Sequence, residues 1–425
     1  MPQRESPSSS VSSTVPPEMR ALVLDGKGFG HLQVRRVPTP RPGPRQLLAR
    51  VDAAGICTSL IKLIEQGSSH GLLYGWDLSR YPLILGDEGS VTLVEVGEAL
   101  RERYYPGERY VVQPAVEHPP INHRRRYRNE AKGIQKIAVG YTLPGHLAEY
   151  ILLTEEVLAA DCLVALPDPN LAYAHVAMSE PLSCAVSAQE HHVHLTQETP
   201  LSPRQPMNGL KAGGVTVVIG AGAMGRMHVE VALSYRPRVV IISDMISERL
   251  ELTERLFAGR AEELGVMLRS VNARETGVQD VVNQETDHRG ADDVIVAVGS
   301  ARVIEVAQGY VGRGGVLNLF GGLKKGEDVV GFDTGIIHYK EINVTGSSGG
   351  APADILRILE LMAAGEIDAG NHITRIGDLE HAPEFLEMIK AQELDGKAVV
   401  YPHRRTDRIR TVPSWSVDDE REYLA

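Results

Sequence analysis

Two stretches of this chain bring together residue types that can do chemistry. In VTVVIGAGAMGRMHVEVALSY a β-branched run from Val215 to Ile219 meets Gly220, Gly222 and Gly225, and Met224, Met227, Val231 and Tyr235 then recur at helical spacing. Glycines so placed allow a tight strand-to-helix turn, a close approach of backbone to a pyrophosphate, and close packing of helix on strand. The free N–H groups of the helix start, with Ala223 and Met224 in its first turn, then face the anion. Downstream, RVVIISD ends in Asp244, where a carboxylate hydrogen-bonds the adenosine ribose hydroxyls and repels a 2′-phosphate. NAD is therefore the expected dinucleotide, with Arg249 as the one nearby charge that suits NADP. Val298 and Gly299, closing DDVIVAVGS, complete the expected cofactor surface. The other stretch is GDEGSVTLVEVG, where Asp87 and Glu88 stand side by side between glycines at the mouth of a predicted strand. Acidic pairs are usually surface charge. A pair placed at a strand mouth needs a reason.

The surrounding elements divide the 425 residues in two. From Arg20 to about Val116 short β-rich runs broken by Gly and Pro predict a mostly β barrel or sandwich. Beyond about residue 210, short apolar strands alternate with helical patterns, which predicts a doubly wound parallel sheet covered on both faces. The expected boundaries are a disordered tail at 1–18, a catalytic domain at 19–187 completed by 353–402, a dinucleotide domain at 188–352, and a polar tail at 403–425 free to wrap a neighbour.

Composition excludes several roles. Forty-four Lys and Arg against 55 Asp and Glu leave a formal charge of −11, the wrong sign for gripping nucleic acid. The basic run HRRRYR, from His123 to Arg128, is expected to be a solvated loop. No apolar run reaches the ~18 residues of a membrane span. Cys57, Cys162 and Cys184, an odd count without paired spacing, support no disulfide framework, and a reducing cytoplasm is the expected compartment. In HHVH, the histidines His191, His192 and His194 are expected to face solvent, with metal binding the alternative.

Four further motifs in order, GICTSLIKLIEQG, PLILGDEGSVTLVEVG, GHLAEYILL and SEPLSCAVSA, join the glycine fingerprint. Together, over about Arg20 to Pro402, the chain resembles the zinc-dependent medium-chain dehydrogenase/reductase family, in particular its sorbitol and sugar dehydrogenase branch. The resemblance implies an α/β protein, a GroES-like β-barrel catalytic domain plus a doubly wound Rossmann domain. It implies a single catalytic zinc on Cys57, on Asp87 where the family has His, and on Glu88, with Glu180 as a direct or water-bridged ligand. Leu60 stands where the family has an Asp that orients the ligand His. A carboxylate ligand leaves no imidazole to orient, so the two departures are coupled. By the same resemblance Ser59 takes up the alcohol proton, and Lys62 falls where relatives carry a relay His. The four close cysteines of a second, structural zinc are missing. The implied reaction is hydride transfer between NAD and a secondary alcohol of a polyol, sugar or sugar derivative, by a homodimer or homotetramer. A zinc-free carbonyl or quinone reductase and a non-catalytic NAD-binding redox sensor are the competing readings.

Overall fold

The computed structural model describes residues 15–117, 121–324 and 326–425. Most of the expected N-terminal tail lies outside these residues, and its last residue, Glu18, already opens a strand paired with Leu32–Pro38.

In the catalytic half the strand Leu47–Gly55 is the organising element. It pairs antiparallel with Glu88–Val96 and Tyr150–Leu153, and its end pairs with Lys397–Val400. The last of these brings chain from far downstream into the same sheet, followed by Ile373–Gly377 and Arg410–Thr411. Residues 47–55 are buried except for Arg50, which is half-buried and pairs with Asp52 on the same side of the strand.

The second half is a six-stranded parallel sheet. Its order is Met267–Asn272, Val239–Asp244, Val215–Ile219, Ala291–Val296, Val311–Leu319 and Asn343–Gly346. Chain direction reverses its sideways progress between Val215–Ile219 and Ala291–Val296, and a crevice opens beyond the carboxyl ends of strands at such a point. The helix Tyr173–Glu190, buried through most of its length, packs between the two halves.

The C-terminal segment corrects the expectation of a tail. It folds back as the strand Arg410–Thr411 and the helix Val417–Leu424, with Trp415 and Tyr423 buried in the core. Glu420 Oε2 and Oε1 accept the Tyr173 and Ala174 N–H groups at 2.6 and 2.7 Å. Those are orphan donors of the long helix, and a carboxylate there also suits the helix dipole. Tyr401 and Trp415 continue the network. Ser416 and Asp419 form a capping box at the start of the last helix, which was a readable signal inside a polar sequence.

The histidine expectation also needs correction. His191 is exposed, but His192 and His194 are buried and share Asp293 Oδ1 at 2.7 and 2.8 Å, the lengths of N–H···O hydrogen bonds. These bonds fasten the hairpin Val193–Thr196/Gln205–Asn208 to the parallel sheet. Alternation along HHVH points residues 192 and 194 the same way, and a buried Asp on a central strand turned that face inward. The arginines of the basic run are exposed, as expected, but the run coils into short 3-10 turns at Arg124–Arg126 and Arg128–Ala131, and Tyr127 within it is buried. Among the described residues no helix is long and apolar enough to cross a membrane.

Two stability outcomes follow from these anchors. Replacing Glu420 by Ala leaves two buried N–H groups without acceptors and should cost about 2–3 kcal/mol, read from urea denaturation. An unchanged midpoint would show that Glu420 does not anchor the C-terminal segment. At Asp293, burial opposes ionisation, but the bonds from His192 and His194 outweigh it and hold the carboxyl down at about 2. For His194, burial is outweighed by Asp293, which raises the imidazole, with Asp292 adding to and Lys211 opposing the shift. The Asp293 contribution is full above the ordinary ~3.9 and lost as pH falls toward its folded value, whereas that of His194 is full below ~6.5 and lost as pH rises. Asp293→Asn should therefore lower the melting temperature more at pH 5 than at pH 9.

Candidate active site

Register builds the first wall of the site. Gly55 lies opposite Glu88 across the two central strands, so the residues just beyond, Ile56 to Ser59, sit beside Asp87. A Cβ on Gly55 would stand 2.0 Å from Glu88 Oε2, so only glycine lets the carboxylate occupy that place. Donor atoms of Cys57, Asp87 and Glu88 then lie within 4.8 Å of one another. Glu180, on the long central helix, lines the same cleft within electrostatic reach of both carboxylates but outside that trio.

Four acids in one buried place cannot all ionise freely. Burial and then Asp87 and Glu88 push the Cys57 thiol up; burial and the same two residues raise Glu180. Burial also raises Asp87 and Glu88 against the pull of Lys397. Lys397 Nζ donates to Glu88 Oε1, which commits its positive charge. Ser59 Oγ donates to Asp87 Oδ2 at 2.8 Å. Asp87 Oδ1 and Glu88 Oε2 remain buried without hydrogen-bond partners among the described residues. Unpartnered buried oxygens beside a thiol are strongly unfavourable unless a cation completes them. A sulfur with carboxylate oxygens is a donor set that a divalent zinc ion accepts. The residues present therefore fit a metal.

The opposite wall is the glycine turn. Gly220 has φ of 105°, and a Cβ on Gly225 would stand 1.6 Å from the Gly220 carbonyl oxygen, the close strand–helix approach that the motif requires. Gly222, Ala223, Met224, Gly225, Arg249 and Gly299 face the same cleft of about 930 Å³ as Cys57, Ser59 and Asp87. Val298 packs against Gly220. Asp244 accepts the Ala221 N–H at 2.7 Å and the Met245 and Ile246 N–H groups at 2.7 and 3.0 Å, which shapes the turn itself. Arg249 Nη1 stands 3.9 Å from it.

The chain matches the family models for an alcohol dehydrogenase GroES-like domain over residues 43–168 and for a zinc-binding dehydrogenase over residues 223–364. It is 30% identical to mannitol-1-phosphate 5-dehydrogenase of Aliivibrio fischeri over 386 residues, 88% of this chain and 85% of that protein. It is 24% identical to sorbitol dehydrogenase of Bacillus subtilis, covering 93% of this chain and all of that one. Among solved structures, alcohol dehydrogenase TADH from Thermus sp. ATN1 superposes with a TM-score of 0.67 at 25% identity, over 91% of this chain and 100% of that one. The chain belongs to the zinc-type medium-chain alcohol and polyol dehydrogenases. It is an oxidoreductase acting on CH–OH groups.

In this dehydrogenase the Lys62 Nζ stands 3.9 Å from where a Cβ on Gly322, a residue lining the same cleft as Ser59, would lie, at the junction of the two halves, and makes no hydrogen bond or ion pair among the described residues. Its positive charge, after burial, lowers His70, whose ring lies 5.5 Å from that of Tyr141. Three contributors were missed in the sequence. Lys397 could have been suspected because clustered acids need a counter-charge. Tyr141 lines the cleft with its hydroxyl held protonated by burial and by Asp87 and Cys57. Arg226, in the first turn of the fingerprint helix, is buried and donates to Ala221 O and Asp395 Oδ1, both at 2.9 Å. Nothing in the sequence separates that Arg from a surface one.

Replacing Cys57 by Ala should reduce bound zinc at least about tenfold by elemental analysis, because the remaining carboxylates lose the strongest donor. NADH binding, measured by fluorescence, should persist. Equal zinc in both proteins would contradict the assignment of the cluster.

Proposed function

We propose that this dehydrogenase oxidises a secondary alcohol of a polyol, sugar or sugar derivative, with NAD as hydride acceptor and one zinc ion on Cys57, Asp87 and Glu88 beside Glu180. The observation that supports it most is the facing of a thiol–carboxylate cluster and a pyrophosphate turn across one cleft. The names of the mannitol-1-phosphate and sorbitol relatives support the substrate class.

When bound, zinc supplies Lewis-acid polarisation of the alcohol oxygen. The chain supplies the rest. Ser59 Oγ, oriented by its bond to Asp87, can receive the proton leaving the alcohol oxygen as its own hydroxyl proton passes to Asp87 Oδ2. Lys397 neutralises Glu88, so the cluster carries less negative charge than its acids alone would give. The glycine turn and helix start would hold the pyrophosphate of a bound dinucleotide, whose nicotinamide would supply the hydride acceptor as the alcohol becomes a ketone.

Zinc-loaded protein should reduce NAD with at least one member of a panel of polyols, sugars and sugar phosphates. Asp244→Ser should lower the NAD/NADP ratio of kcat/KM about 10- to 100-fold, the size of one charged hydrogen bond. No turnover with any panel member, or a wild-type preference for NADP, would contradict the corresponding part of the reading.

A further inference from the structure

The charges in the cleft are unevenly committed. Asp87, Glu88 and Glu180 crowd its inner end, and Lys397 is spent on Glu88. Lys136 also lines the cleft, on the strand Lys136–Ala138. Its carbonyl is fixed by the Tyr74 hydroxyl at 2.8 Å, so the backbone is held in place. Its ammonium is not. Among the described residues its one ion pair is to Glu117, 62% exposed and 3.6 Å away, too far for a hydrogen bond and worth little in water.

A second unsatisfied group lines the same cleft. Ala115 pairs with Ala138 in the hairpin that carries Lys136. The neighbouring Gln113 side chain donates to the Gly350 carbonyl, which brings the loop 347–350 against this hairpin. In that loop Ser347 lines the cleft, and its Oγ is buried with no hydrogen-bond partner among the described residues. The cleft lining also includes Leu72, Pro114 and Ala138, which carry no charge. A neutral polyol could hydrogen-bond both groups but would leave the ammonium without a matching charge. In a chain of net charge −11, a partly exposed cation on the wall of an acidic cleft, held only by a long ion pair, marks where an anionic part of the substrate rests.

We infer that the substrate is a phosphate monoester of a polyol or sugar, and that Lys136, with Ser347 Oγ, receives the phosphate while the carbinol lies at Ser59. This deepens, and rests on, the proposed polyol oxidation. A phosphate suits these two groups better than a carboxylate because its dianion draws more from one ammonium and its three oxygens can also take a hydroxyl donor.

The test compares kcat/KM for hexitol phosphates, hexonates and free hexitols, using zinc-loaded full-length protein. Wild type should favour the phosphates over the free hexitols by about 100-fold, and Lys136→Gln should cut that ratio about 10- to 100-fold, mainly through KM, as loss of a charged contact predicts. Ser347→Ala should cut it less. Lys132→Gln, removing an exposed charge in the same segment, should leave the ratio as it is. Equal use of free hexitols, preference for hexonates, or an undiminished ratio in Lys136→Gln would overturn the inference while the polyol reading stands. Failure of all three substrate classes to reduce NAD would defeat that reading, and the inference with it.

Discussion

The antiparallel register that sets Gly55 opposite Glu88 is the constraint on which the rest of the site depends. It delivers a thiol and two carboxylates to one buried place from segments about thirty residues apart. A single-residue slip would turn every side chain of a strand to the other face. The missing Cβ at Gly55 and the positive charge of Lys397 make the arrangement tolerable, one sterically and one electrostatically. Lys397 arrives on a strand from the end of the chain, so neither the charge balance nor the sheet is complete until the chain has crossed the dinucleotide-binding half and returned.

That return is fastened at several points. Arg226 joins the pyrophosphate turn to Asp395, two residues before Lys397. One helical turn on, Glu230 accepts from the Asp368 N–H and meets His372 at 2.9 and 2.6 Å. The fingerprint helix is thus tied along one face to the chain that completes the catalytic sheet. Glu420 caps the helix that carries Glu180. These are buried charged contacts with few alternative partners, so they specify how the two halves meet more than they add to net stability.

The coupled departures at Leu60 and Asp87 take on physical meaning in this setting. Leu60 is buried in the catalytic core, where an acid would add to an already crowded group of negative charges. Ser59, its neighbour, reaches Asp87 directly. The hydroxyl does for a carboxylate what a second acid does for an imidazole: it fixes the direction of the donor oxygens.

Local pattern was enough for the dinucleotide turn and the alternation of strand and helix, because each is written in contiguous residues whose spacing matches a backbone geometry; the family and the grouping of Cys57 with Asp87 and Glu88 came from the resemblance of several motifs in order. What it could not determine was any pairing between distant segments. A polar C-terminus hid a capping carboxylate and two buried aromatic anchors, since composition averages over the few residues that dock. His192 and His194 read as solvent-facing because their partner, Asp293, lies a hundred residues away. Lys62 and Lys397 look alike in sequence. Tertiary structure sent one to the domain junction and the other onto Glu88, because charge is allocated by distance in space and not by position along the chain.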